Sequence, residues 1–286
     1  MKPLMSCPRE EWRAVVGVLT DIDDTLTTGG GLGASARQAL ERLAAAGLPV
    51  IAITGRPAGW SEPMARDWAV CGIVAENGGV LLTRQRVKGA SPEPSPAPLI
   101  VEFSQDADTR ARNALRLKQC ADEILARVPG ATLATDSAGR LTDIAIDHSE
   151  HAHLPPQAIE AVCAVMQAHG LHATVSSIHI NGWIGTHSKW TAAEWAVPRL
   201  TGMAFDPRRW LYVGDSSNDQ LMFERMPFTV AVANIERFLP VLTHLPRYVT
   251  RAERGEGFAE VVQAMLEARE ASEAREVTDT GPSCQA

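Results

Sequence analysis

Apolar residues along this chain fall into two rhythms. Short runs that are apolar almost throughout occur at 18–20, 50–53, 72–75, 210–213 and 229–232. Such a run reads as a strand covered on both faces, the pattern of a buried parallel sheet. Between them lie stretches with apolar residues every three or four positions. One spans 34–46, carries Leu40 and Leu43, and stops at Gly47; others start at Pro57, Lys189 and Ser217. Strands alternating with amphipathic helices predict an α/β chain with a parallel sheet. From about residue 85 the rhythm changes. Helical spacing over 106–128 and 155–169, with strand-like runs at 131–135, 141–147, 172–177 and 179–184, predicts two helices and two strand pairs, an α+β insert. The expected organisation is a core of 1–84 and 186–270, an inserted cap of 85–185 and a polar, disordered tail at 271–286. The segment 88–98 holds four prolines without apolar periodicity and reads as loop or edge structure.

The polar residues that end the apolar runs carry the chemistry. The first run ends in Asp21-Ile22-Asp23-Asp24-Thr25. Open α/β sheets bind ligands beyond the carboxyl ends of their strands, and residues two apart on extended chain point the same way. One carboxylate can then attack while the other handles protons. Two carboxylates this close repel unless a cation compensates, and hard oxygen donors suit Mg2+. Read alone, the pentapeptide is equally an acidic turn capping the next segment. The second run ends in Thr54-Gly55-Arg56-Pro57, where a hydroxyl and free backbone N–H groups suit a phosphate. The Trp210 run ends in Gly214-Asp215-Ser216-Ser217-Asn218-Asp219, and Lys189 opens the helix before it.

In this order the four segments resemble the haloacid dehalogenase (HAD) superfamily of phosphohydrolases, whose motifs are Asp-x-Asp-x-Thr, a strand ending in Thr or Ser, a lysine, and Gly-Asp-x-x-x-Asp. The insert lies between the second motif and the lysine, and Asn77-Gly78 follows an apolar strand. That placement resembles subclass IIB, which includes sucrose-phosphate, trehalose-phosphate and mannosyl-phosphoglycerate phosphatases and the phosphomannomutases. The resemblance implies a Rossmann-like HAD core with an inserted α+β cap. It makes Asp21 the nucleophile that forms an aspartyl-phosphate and Asp23 the acid and base, with Thr25 steadying Asp23. Mg2+ would be held by Asp21, Asp23, Asp215 and Asp219. Thr54, Gly55, Arg56, Asn77, Lys189 and Asn218 would meet the phosphate or substrate. Trp190 departs from the glycine the family usually carries after this lysine.

Composition narrows the partners. The 286-residue chain is 45% hydrophobic, enough for two modest domains. A net charge of −7 argues against a nucleic-acid backbone and leaves a small phosphate ester, whose charge a local site can meet. Five cysteines without a paired spacing read as reduced thiols, and the absence of a membrane-length apolar run or signal-like start predicts a cytoplasmic protein. His148, His151 and His153 cluster near Pro155 and read as a polar cap loop rather than a metal site. His179, Asn181 and Trp183 alternate on one strand, so one face carries all three. That face either grips a sugar or packs against the cap helices. The resulting expectation is a Mg2+-dependent phosphomonoesterase for a small phosphorylated metabolite, a sugar phosphate first. A phosphomutase and a non-catalytic sugar-phosphate-binding regulator are the alternatives.

Overall fold

A computed structural model describes residues 1–85 and 98–279. Its nine-stranded sheet runs in the order Lys2–Pro3, Tyr248–Val249, Thr229–Ala231, Trp210–Gly214, Gly17–Thr20, Val50–Ile53, Gly72–Ala75, Val80–Arg84 and Leu99–Phe103. The first seven pair in parallel and the last two antiparallel. Side chains alternate across the sheet as a two-residue period requires. Val18, Val50, Ala52 and Val213 pack with Leu40, Leu43, Phe258 and Val262, from the helices Ala34–Ala45 and Arg254–Asp279. On the other face Leu19, Ile51, Ile53 and Tyr212 pack with Ala192, Ala196 and Val197, from the helix Lys189–Thr201.

The inserted unit has its own core. Four antiparallel strands, in the order His172–Val175, His179–Trp183, Asp143–Asp147 and Thr132–Leu133, carry two helices, Ala107–Arg127 and Pro156–Ala168. Ile146 and Ile180 meet Leu117, Ile124, Val162 and Met166 on the helix side. Asp143, Asp147, His179, Asn181 and Trp183 therefore lie on the opposite face, which turns toward the core.

Several elements go beyond the sequence reading. Leu99–Phe103 falls inside the expected cap span, yet it pairs with Val80–Arg84 and extends the core sheet. Lys2–Pro3 adds a strand beside Tyr248–Val249, the helix Arg9–Ala14 buries Trp12, and Thr27–Thr28 pairs with Gly31–Leu32 in a small ribbon. The last helix, Arg254–Asp279, runs on into the 271–286 span expected from the sequence to be a disordered tail. Most of the proline-rich connection and residues 280–286 lie outside the described residues.

Candidate active site

Asp21, Thr54 and Asp215 each follow directly on a strand, and those three strands are neighbours in the sheet. Parallel neighbours end on the same rim, so motifs far apart in sequence meet there. Lys189 reaches the rim from the start of its helix, which Ser188 caps by accepting from Thr191 N–H. The Lys189 ammonium is buried and donates to Asp21 Oδ1 at 2.6 Å, Asp219 Oδ1 at 2.6 Å and Asn218 Oδ1 at 3.1 Å. Trp190 does not displace it; its indole N–H turns away to Glu194.

Asp21, Asp215 and Asp219 each bring a carboxylate oxygen within 4.8 Å of the other two. Burial pushes Asp21 up to about 7, with the charges of Asp219 and Asp23 adding to it and Lys189 opposing. Asp215 is raised well above the carboxylate range by burial and then by Asp21 and Asp219. Lys189 is raised as well, because Asp21 and Asp219 outweigh a burial effect of opposite sign. The rim thus carries more negative charge than Lys189 alone balances. A buried, all-oxygen donor set of this kind fits a hard divalent cation.

The four acids differ in what holds them. Asp219 is saturated: Oδ1 accepts from Lys189 and the Tyr212 hydroxyl, and Oδ2 from the backbone N–H groups of Asp215 and Ser216. Gly214 makes this possible, since a Cβ there would run into the Asp219 carboxylate. Asp215 is held by Asn234 at 2.9 Å and Arg237 at 3.1 Å. The Thr25 hydroxyl lies 3.5 Å from Asp215, so it steadies that residue rather than Asp23. Asp23 is instead gripped by Arg56, whose Nε lies 3.1 Å from both carboxylate oxygens.

The remaining candidates divide. Thr54 is fully buried, and its hydroxyl accepts the Arg56 N–H at 3.0 Å. Gly55 sits between the Asn77 and Asn181 amides, where a Cβ would come within 3.0 Å of Asn181 Oδ1. Asn77 adopts a left-handed φ of 52°, and its Nδ2 is buried without a protein hydrogen bond. Asn218 gives its oxygen to Lys189 and Ser216, which leaves its amide nitrogen to meet a ligand. Arg56 lines the cleft but points its guanidinium at carboxylates, with Asp136 at 3.1 Å and Glu150 at 2.7 Å besides Asp23. His179 and Asn181 line the cleft too, through bonds to Glu150 and to the Gly55 carbonyl. Trp183 lies farther along, beside His172 and His187. His151 and His153 are exposed, and His148 bonds Ser176 O and Ser149 Oγ.

Sequence reasoning missed the seam that closes over this rim. The buried carboxylate of Glu76 accepts from Ala58 N–H in the core and, across the seam, from Leu141 N–H, Thr142 N–H and the Thr142 hydroxyl. Arg140 donates to Gly55 O at 3.0 Å and pairs with Asp143 and Asp136. The space enclosed between Asp21, Asp23 and the 176–181 segment is about 10 Å³, roughly one water. A larger cavity of about 330 Å³ reaches Asn77, Lys189 and Asn218 from the other side.

A family model described as haloacid dehalogenase-like hydrolase matches residues 18–107. Over that span the chain is similar to this family. Phosphoglycolate phosphatases are among its relatives: the Methanothermobacter thermautotrophicus protein is 28% identical, covering 87% of this chain and 98% of its own. That of Methanosarcina mazei is 27% identical over 79% of this chain and 86% of its own. These relatives are phosphatases, and the family model they accompany is one of hydrolases. Among solved structures, a Thermoplasma acidophilum protein superposes with a TM-score of 0.66 at 15% identity, covering 88% of this chain and 98% of that one. The Synechocystis sucrose-phosphatase, solved with sucrose and phosphate, gives 0.60 at 14% identity over the same shares. Both share the fold. No described helix is long and apolar enough to cross a membrane.

Proposed function

We propose that this hydrolase is a Mg2+-dependent, cytoplasmic phosphomonoesterase that works through an aspartyl-phosphate on Asp21. The observation that carries the proposal is the convergence of Asp21, Lys189, Asp215 and Asp219 on the rim of three adjacent parallel strands. The Asp21 carboxylate attacks phosphorus and forms a new O–P bond as the bond to the leaving alcohol breaks. Asp23 gives its proton to that alcohol oxygen, then takes one from a water that attacks the phosphoryl group and frees Asp21. Lys189 and the Asn218 amide hold phosphoryl oxygens, with Thr54 and Gly55 at the neighbouring turn. Asp21, Asp215 and the Asp23 main-chain carbonyl would hold Mg2+, which would supply positive charge toward the phosphoryl oxygens. Asp219, saturated with hydrogen bonds, supports Lys189 and the Asp215 turn.

The leaving group is a neutral, hydroxylated one, so the substrate is a sugar phosphate. The cap lining of Ser176, Ser177, His179 and Asn181 offers hydroxyl, imidazole and amide groups. Among the described residues lining the cleft, the cation Arg56 already faces three carboxylates, so it has little left for an acidic leaving group. Phosphate release from a panel of sugar phosphates, phosphoglycolate and nitrophenyl phosphate, with Mg2+ or a chelator, tests this. Metal-dependent release that is fastest on a sugar phosphate supports the reading. Preference for phosphoglycolate overturns the substrate assignment, and bisphosphate-activated isomerisation without release moves the chain to the mutases.

A further inference from the structure

Arg56 occupies an unusual place. It leaves the turn after Thr54 in the core, yet its guanidinium spans to two acids of the inserted unit. Nε binds Asp23, NH1 lies 3.1 Å from Asp136 Oδ2 and 3.3 Å from Glu150 Oε2, and NH2 lies 2.7 Å from Glu150 Oε1. Trp60 covers it, with the guanidinium carbon 4.6 Å from the ring centroid. The acids it reaches are themselves built into place. Asp147 accepts from the backbone N–H groups of Ser149, Glu150, His151 and Ala152, which fixes the loop carrying Glu150. His179 Nε2 holds the same Glu150 at 2.9 Å, and Arg140 holds Asp136. A planar fork that uses one edge on Asp23 and the other on the cap acids has a fixed orientation only when both sides are present.

We propose that Arg56 is a positioning residue that couples cap closure to the alignment of Asp23. When the cap swings away, Asp136 and Glu150 leave the guanidinium, which then swings free with Asp23. When the cap returns over a substrate, the fork is pinned and Asp23 is aimed at the leaving oxygen. Proton transfer thereby waits for closure, which also shuts the site to bulk water. The inference rests on the phosphatase reading and on Asp23 as the acid. It departs from the sequence expectation that Arg56 binds the phosphate.

The test compares two leaving groups. An alkyl phosphate needs a proton on its departing oxygen, whereas nitrophenolate leaves without one, and kcat/KM reports the steps through that departure. Arg56→Ala is expected to lower kcat/KM on an alkyl phosphate by about 10²-fold, the scale of a misplaced catalytic group, and on nitrophenyl phosphate by about threefold or less. Inhibition by inorganic phosphate stays unchanged, and Arg56→Lys does not rescue, because an ammonium cannot bridge both sides. The pair Asp136→Asn and Glu150→Gln gives the same selective loss, and adding Arg56→Ala to it costs little more. Equal losses on both substrates with weaker phosphate inhibition overturn the inference and return Arg56 to the phosphate site. Rescue by lysine, additive losses, or no loss on either substrate also overturn it. If the native chain releases phosphate from no substrate, the phosphatase reading fails by itself. Small-angle scattering without substrate then decides the latch: an expanded form in Arg56→Ala but not in the native chain upholds it, and identical profiles overturn it.

Discussion

The two walls of the cleft are built on opposite plans. The core wall is a set of short motifs at strand ends, with like charges forced together: Asp21, Asp215 and Asp219 around a single buried lysine. The cap wall is a network of opposite charges, with Arg56 and Arg140 shared among Asp23, Asp136, Asp143 and Glu150. The first arrangement sets carboxylates against one another and suits a cation and phosphoryl chemistry; the second interleaves each arginine between carboxylates of the two units and suits docking. Damage to the core wall should therefore appear in turnover, and in stability where it strips the buried carboxylates of their lysine; damage to the cap wall should appear in stability, specificity and pH response.

The sharpest separation comes from Asp21→Asn. It keeps the shape of the side chain but removes the nucleophile, so turnover falls by at least about 10³-fold while the melting temperature holds or rises. Steady-state kinetics with thermal denaturation reads both. Lys189→Met comes next. It leaves Asp21 and Asp219 buried without their shared cation, which costs about 3 kcal/mol in chemical denaturation. Added Mg2+ recovers part of the loss through binding to the folded state. Both results together keep the two walls distinct; a Lys189→Met chain as stable as the native one breaks the charge argument.

On the cap side, Glu76→Gln weakens the acceptor of four donors at the seam and is expected to cost about 2 kcal/mol of stability. Turnover of the closed form should change much less. The smallest effect is one of pH. Burial, with the neighbouring His172, holds His187 at about 4 in the folded chain. The unfolded chain takes up that proton near the usual value of about 6.5. Between these values the unfolded state binds more protons, so stability rises with pH through the window and is lost as pH falls. Denaturation midpoints at several pH values should show the native chain losing about 2 kcal/mol more than His187→Gln between neutral pH and pH ~4.

What was legible in the sequence follows the same division. The core wall could be read because each motif is a few consecutive residues after an apolar run, and the parallel sheet brings the strand ends together. The cap wall could not, because its pairs are far apart: Arg56 and Glu150 are 94 residues apart, and Glu76 and Thr142 are 66. The period-two reading of His179, Asn181 and Trp183 found the right face but not how far each reaches, and Trp183 lies off the catalytic rim. Leu99–Phe103 was missed for a physical reason. It is an edge strand, only partly buried, and its apolar run Leu99-Ile100-Val101 comes after the proline-rich segment, inside the span assigned to the insert. Thr25 sits in the expected motif yet serves Asp215, because the chain turns after Asp23 with Asp24 at a left-handed φ of 56°.

Rapid acid quench of the Mg2+-loaded enzyme with nitrophenyl phosphate, followed by mass spectrometry of the peptide spanning Val18 to Leu26, tests the central claim most directly. The account predicts a phosphoryl group on Asp21 that appears before free phosphate accumulates and is absent from Asp21→Asn. Phosphate release with no modified peptide, or with the phosphoryl group on another residue, would contradict it.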